Sequence, residues 1–190
     1  MPLLVNSFFE TRLKHLFELA ETVDRAFQDA HIDYRVVGGL ATYLYVEEVH
    51  PDAGRLTKDI DIAVMRRDLP AIIAAVNLYG LEYRHVAGVD MLVAKGEPSS
   101  RRAVHLVFSG EKVREDYTEA VPALGSAPVV KQGIRVLPLG DLVKMKLTSF
   151  RLKDQTHLKD IDEAGLITPQ IEHQLSPELL ARLAHVRSVE

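Results

Sequence analysis

Residues 34–39 read YRVVGG, and residues 55–62 read RLTKDIDI. The first is a β-rich apolar run that breaks on two glycines. The second sets two carboxylates one residue apart in a segment otherwise suited to burial. Side chains alternate faces along a strand, so Asp59 and Asp61 point one way while Ile60 and Ile62 point the other. Ala63 and Met65 continue the aspartate face with apolar groups. That face is acidic at its start and apolar beyond, as in a buried strand whose first turn opens into a cleft. Two carboxylates this close repel, and a proton or a cation must compensate. Mg2+ is the natural cation, because it takes oxygen ligands and keeps positions for water and phosphate oxygens. The alternative is a strand end where both aspartates sit in water.

The glycine pair, Gly38 and Gly39, falls where the strand meets a helical run, LATYLYVEEV. Small residues there let backbone N–H groups approach an anion, and a helix N-terminus adds a favourable dipole. A tight turn needing positive φ accounts for the same glycines without a ligand. Phosphoryl transfer needs donors around a polyphosphate and a metal bridging its oxygens, and the two stretches supply one part each.

Outward from this pair, apolar residues at Phe9, Leu13, Leu16, Ala20, Val23 and Phe27 predict a helix over 7–30, with Ser7 and Glu10 as a capping box. DLPAIIAAVNLYG (68–80) reads as a helix with Asp68 at its N-cap, Pro70 in its first turn and Gly80 near its end. LEYRHVA, DMLVAK, AVHLVFS, PVV and IRVLP read as strands between turn residues. From Leu139 the period becomes helical again, in GDLVKMKLTSFRL, KDQTHLKDIDEAGL and SPELLARLAHVRS. Gly165 is a stop signal there, and Ser176–Pro177 a start signal. The expected fold class is α+β, a mixed sheet flanked by helices. Residues 1–137 form its core with the N-terminal helix, and residues 138–190 form a helical part packed on it as one folding unit.

Composition sets outer bounds. With 190 residues, 47% hydrophobic and 26% charged, the chain suits one soluble domain. A net charge of −4 gives no global pull toward nucleic acid or membrane. The absence of cysteine excludes disulfides, thiolate metal sites and a cysteine nucleophile. The first residues lack a signal-peptide layout and no apolar run reaches membrane-spanning length, so a cytoplasmic protein without membrane partners is expected.

VVGGLATYLY…RLTKDIDIAV resembles the signature of the polymerase-beta-like nucleotidyltransferase superfamily, a Gly-Gly or Gly-Ser turn followed by an Asp-x-Asp strand. The form R-x-T-x-D-I-D, together with LPLGDLVKMKLTSFRLKDQTHLKDID, looks like the AbiEii/AbiGii branch of bacterial stand-alone nucleotidyltransferases. The resemblance covers roughly residues 31–165. It implies the nucleotidyltransferase fold, with Asp59 and Asp61 as Mg2+ ligands, in a one- or two-metal site. Gly38 and Gly39 would then turn over a nucleoside triphosphate, with Arg55 and Thr57 flanking the metal strand. Lys146 would reach phosphates, with Arg151 and Asp154 nearby. For Lys146 and Arg151 the alternative is a solvated helix face.

Two positions depart from the branch. Leu40 follows the glycines where a hydroxyl residue is usual, and the nearest hydroxyl is Thr42. A third carboxylate is usual on a neighbouring strand, where it ligates metal and activates the attacking hydroxyl. In AVHLVF that place is taken by His105, a base but a poor Mg2+ ligand. Asp90 is the other candidate for the role. The leading expectation is transfer of a nucleotidyl group from an NTP to an acceptor, RNA or protein. An antitoxin partner, a toxin–antitoxin or phage-defence setting, or a homo-oligomer are compatible with the resemblance. The alternative is a degenerate member that binds nucleotide or a partner without catalysis. A DxD glycosyltransferase would need a larger nucleotide-sugar domain, and a HAD-type phosphatase needs a small residue and a hydroxyl after its second aspartate. Arg66, Arg67, Arg101, Arg102, Lys112 and Arg114 are read either as an RNA-facing rim or as scattered surface charge.

Overall fold

In the computed structural model the described residues are 3–51, 54, 55, 57–96, 103–125 and 127–189, with side chains of the first helix described at 11 and from 13 onward. The N-terminal period forms helix α1 (Leu3–Asp29). It begins upstream of Ser7, and the side chains of the Ser7–Glu10 capping box lie outside the described residues. Leu16, Ala20, Val23 and Phe27 are buried along one stripe, as the spacing requires.

Seven strands make one mixed sheet: β1 (Tyr34–Val37), β2 (Ile60–Val64), β3 (Leu81–Val86), β4 (Val89–Ala94), β5 (Val104–Phe108), β6 (Val129–Lys131) and β7 (Ile134–Val136). Their order is β3-β4-β5-β2-β1-β7-β6. The pairs β2–β5 and β1–β7 run parallel and the others antiparallel. All four residues of β1 are buried, as expected of a strand covered on both faces.

Register fixes what each face carries. Asp61 stands opposite Val37 on β1 and His105 on β5, and His105 stands opposite Met91 on β4. Ile62, one residue on, stands opposite Val36 and Leu106, and Leu106 opposite Asp90. Directly opposed residues share a face, so Asp61 and His105 lie on one side of the sheet while Asp90 lies on the other. Tyr34 belongs to the Asp90 side. It meets Phe27 edge-on at 5.3 Å and donates from its hydroxyl to Asp24, which seats α1 on that side. Helix α3 (Leu69–Leu78) packs beside α1. A 3-10 turn (Arg66–Asp68) leads into it, and the Asp68 side chain makes no capping bond.

The remaining helices are α2 (Gly38–Val49), α4 (Leu139–Ser149), α5 (Leu152–Glu163), α6 (Pro169–Glu172) and α7 (Pro177–Ser188). Val46, Val143, Leu147, Leu158, Ile161, Leu179 and Leu183 join four of them in an apolar cluster distinct from the main core. Ser176 caps α7, accepting from the Leu179 N–H at 3.4 Å. Gly165, with φ 69°, ends α5.

The boundary between the first two of the expected C-terminal helices lies earlier than the pattern suggests. The run 140–152 breaks at Phe150, which adopts a left-handed conformation (φ 48°, ψ 25°) before α5 restarts at Leu152. Tertiary bonds impose the break. Asp154 reaches back to Ser149 and Lys146, and Arg182 of α7 donates to the carbonyls of Leu147 and Thr148 at 2.7 and 2.8 Å. Those carbonyls end α4 without intrahelical partners, so the guanidinium satisfies them.

Candidate active site

The glycines and the acidic pair meet. Gly38 has φ 66°, and a Cβ placed on it would lie 2.0 Å from Asp61 Oδ2. A Cβ on Gly39 would lie 2.7 Å from Thr57 Oγ1. Both positions are therefore closed to a side chain, Gly38 by backbone conformation as well as space. The first turn of α2 sits directly against the second aspartate. Thr42, the nearest hydroxyl after the glycines, donates to the Gly38 carbonyl at 3.0 Å and so braces that turn.

Thr57 is buried and donates to the Asp59 carbonyl at 3.2 Å, which sets the bend preceding β2. Its contacts position Asp59 and Gly39. Arg55 instead swings to α5, where its Nε lies 3.0 and 2.9 Å from the two carboxylate oxygens of Asp160. That salt bridge ties the loop before β2 to the helical block.

His105 Nδ1 lies 3.3 Å from Asp61 Oδ1. The hydrogen bond to Asp61 raises the imidazole's pKa, burial opposes it, and the charges of Asp61 and Asp59 add to the rise. His105 thus stands beside Asp61 on the neighbouring parallel strand. Asp90 does not share that face; it accepts from the Tyr83 hydroxyl at 2.5 Å and lies 2.8 Å from His85 Nδ1.

Lys146 and Asp154 are buried, 4% and 2% exposed, and pair at 3.3 Å. Asp154 also accepts from Ser149 at 2.8 Å and from Arg151 Nε at 2.7 Å. Burial pushes the Asp154 carboxyl up, but Arg151, Lys146 and Ser149 together outweigh it and hold it below the usual carboxylate range. Burial drives the Lys146 ammonium below its ordinary value, with Asp154 and then Asp61 opposing. Two cations thus share one carboxylate, leaving this network a surplus of positive charge beside Asp61.

A cleft of about 140 Å³ brings Gly38, Asp61, Lys146, Arg151 and Asp154 together. Its other walls come from β5, α4 and the loop 110–124. The loop is held by Gly110 N–H to Val121 O at 2.8 Å, Val121 N–H to Glu111 O at 2.9 Å and Arg35 Nη2 to Leu124 O at 3.0 Å. Of the basic residues outside the cleft, Arg66 pairs with Glu111 and stacks on Phe108, Arg67 pairs with Asp68, and Arg114 with Asp116. Arg101 and Arg102 lie outside the described residues.

Sequence reasoning passed over Lys153, Thr148 and His157. Lys153, exposed at the start of α5, is close enough to disfavour protonation of His105, Lys146 and His157. Only its place beside Asp154 in RLKD signalled it. His157 is 4% exposed, packs near Gly39, and its Nδ1 has no hydrogen-bond partner. Burial first, then Lys146 of α4 and Lys153 of α5, with Arg55 of the loop before β2 a smaller contribution, lower its pKa to about 3; Asp154 opposes them. Its stability contribution is therefore complete above the unfolded value of about 6.5 and falls as pH drops from there toward 3. Relative to His157→Gln, the wild type is expected to lose about 2 kcal/mol between pH 7 and pH 5, read from urea unfolding at each pH. A difference independent of pH would contradict a buried neutral imidazole.

Carboxylates and histidines here form no ready-made cage: among the described residues, no three His, Cys, Asp or Glu side chains are grouped to hold a metal. Magnesium does not need one, since it commonly binds through one or two carboxylates and completes its shell with water and substrate phosphates. Asp61, an oxygen donor beside a helix N-terminus, fits that mode, with Asp59 two residues before it.

Solved structures share this arrangement of elements. An antigenic nucleotidyltransferase-like protein from Paracoccidioides brasiliensis superposes with a TM-score of 0.55 at 17% identity, covering 90% of this chain and 86% of that one. ANT(2")-Ia, solved in complex with adenylyl-2"-tobramycin, superposes at 0.51 with 12% identity, over 90% and 96%. The chain has a nucleotidyltransferase-like fold. No protein-family model matches the sequence, and no curated protein matches it. Among the described residues no helix is long and apolar enough to cross a membrane.

Proposed function

We propose that this chain transfers a nucleotidyl group from an NTP to an acceptor hydroxyl, with pyrophosphate as leaving group. The contact of Gly38 with Asp61 carries the reading, because it joins an anion-binding helix start to a carboxylate suited to magnesium. Asp59 and Asp61 would hold Mg2+, which when bound neutralises phosphate charge. The backbone at Gly38 and Gly39 receives phosphate oxygens, and Lys146 with Arg151 supplies positive charge beside them. His105 takes the proton as the acceptor oxygen bonds to the α-phosphorus and the bond to pyrophosphate breaks. The acceptor is RNA or protein, and an AbiEii-like toxin–antitoxin or phage-defence setting suits the quoted motifs.

A second reading, nucleotide binding without turnover, is favoured by one observation: His105 engages Asp61 instead of adding a third carboxylate. The two separate in one assay. Pyrophosphate release from an NTP with Mg2+, across acceptors that include tRNA, supports transfer. Saturable NTP binding without release supports the second reading, and absence of both contradicts each.

A further inference from the structure

Beside the polar groups, the cleft is walled by Val113, Tyr117, Val121, Leu142 and Met145. Thr148 shares this lining, is 6% exposed, and its Oγ1 has no hydrogen-bond partner. A helical threonine ordinarily settles its hydroxyl on a carbonyl one turn back. This one does not, and a buried hydroxyl without a partner costs stability. The cleft lining therefore combines Gly38, Lys146 and Arg151 with apolar side chains and with Thr148, whose buried hydroxyl is unsatisfied. A nucleoside triphosphate offers the matching combination: a polyanion joined to a flat ring with hydrogen-bonding edges.

We infer that the apolar lining of this cleft seats the nucleobase of the triphosphate, and that Thr148 Oγ1 reads the base edge and sets base preference. The inference rests on the nucleotide reading above. Tyr117 and Met145 supply surface for a flat ring, and the pinned loop 110–124 keeps that wall in place before binding. Glu119 is the one carboxylate among the loop residues of the lining, and it accepts from N–H donors on a ring edge rather than favouring an anion.

The test compares binding of ATP, GTP, CTP, UTP and inorganic tripolyphosphate, all with Mg2+, to the wild type, Thr148→Val and Thr148→Ser, with a melting curve for each protein. Wild type and Thr148→Ser are expected to prefer one base over the others by about five- to tenfold. Thr148→Val should lose that preference, bind tripolyphosphate like the wild type, and melt no lower. Equal affinity of the wild type for the four triphosphates overturns the inference. So does tripolyphosphate binding as tightly as every triphosphate, a preference retained in Thr148→Val, or a lower melting temperature for that variant. If the wild type binds neither tripolyphosphate nor any triphosphate, the nucleotide reading falls and this inference falls with it.

Discussion

Asp61→Ala should reduce Mg2+-dependent pyrophosphate release by about 10³-fold, while the variant melts near the wild-type temperature. The expectation follows from what the side chain touches. One carboxylate oxygen faces His105 at 3.3 Å, and the other lies against Gly38 at the start of α2. Removing the carboxylate deletes a proposed metal ligand and the group that orients His105, yet breaks no buried salt bridge. Loss of activity without loss of fold therefore separates a chemical role from a structural one. Turnover within threefold of the wild type would show that phosphate charge is neutralised elsewhere.

Gly38→Ala should fail for the opposite reason, through geometry. The new methyl would sit 2.0 Å from Asp61 Oδ2 and 2.8 Å from its Cγ, on a residue with φ 66°. Left-handed backbone and overpacking each cost about 1–3 kcal/mol, so a loss of about 2–6 kcal/mol is expected. In a chain of this size that lowers the melting temperature by about 4–24 °C. Part of the cost is the collision, and that part disappears when Asp61 is also shortened. Gly38→Ala should therefore be milder in an Asp61→Gly background, with a coupling of about 1 kcal/mol or more between the sites. Additive effects would mean that the turn and the aspartate are not packed together. Either Gly38 variant should also be inactive, because the helix start no longer approaches a phosphate.

Local pattern makes the strand–glycine–helix unit, the strand carrying Asp61 and the His105 strand legible in the sequence. Alternation told which side of β2 Asp61 faces, and register then set His105 on the same side, whereas Asp59 lies in the bend before the strand. The same register put Asp90 on the other face, which no single-strand pattern reveals. Residues decided by distant partners were harder to read. Arg55 looks like a flank of the metal strand until Asp160, far along the chain, takes its guanidinium. The break at Phe150 follows from Asp154 and Arg182 rather than from any glycine or proline. Thr148 and His157 stand out only through buried polar atoms without partners, a property of packing and not of residue type.

The central claim, that Gly38 and Asp61 form one metal–triphosphate site, is tested most directly by NTP affinity measured calorimetrically with and without Mg2+. For the wild type, magnesium should tighten binding at least about tenfold, and for Asp61→Ala it should change nothing. Wild-type affinity indifferent to magnesium, or an unchanged magnesium effect in Asp61→Ala, would contradict the claim.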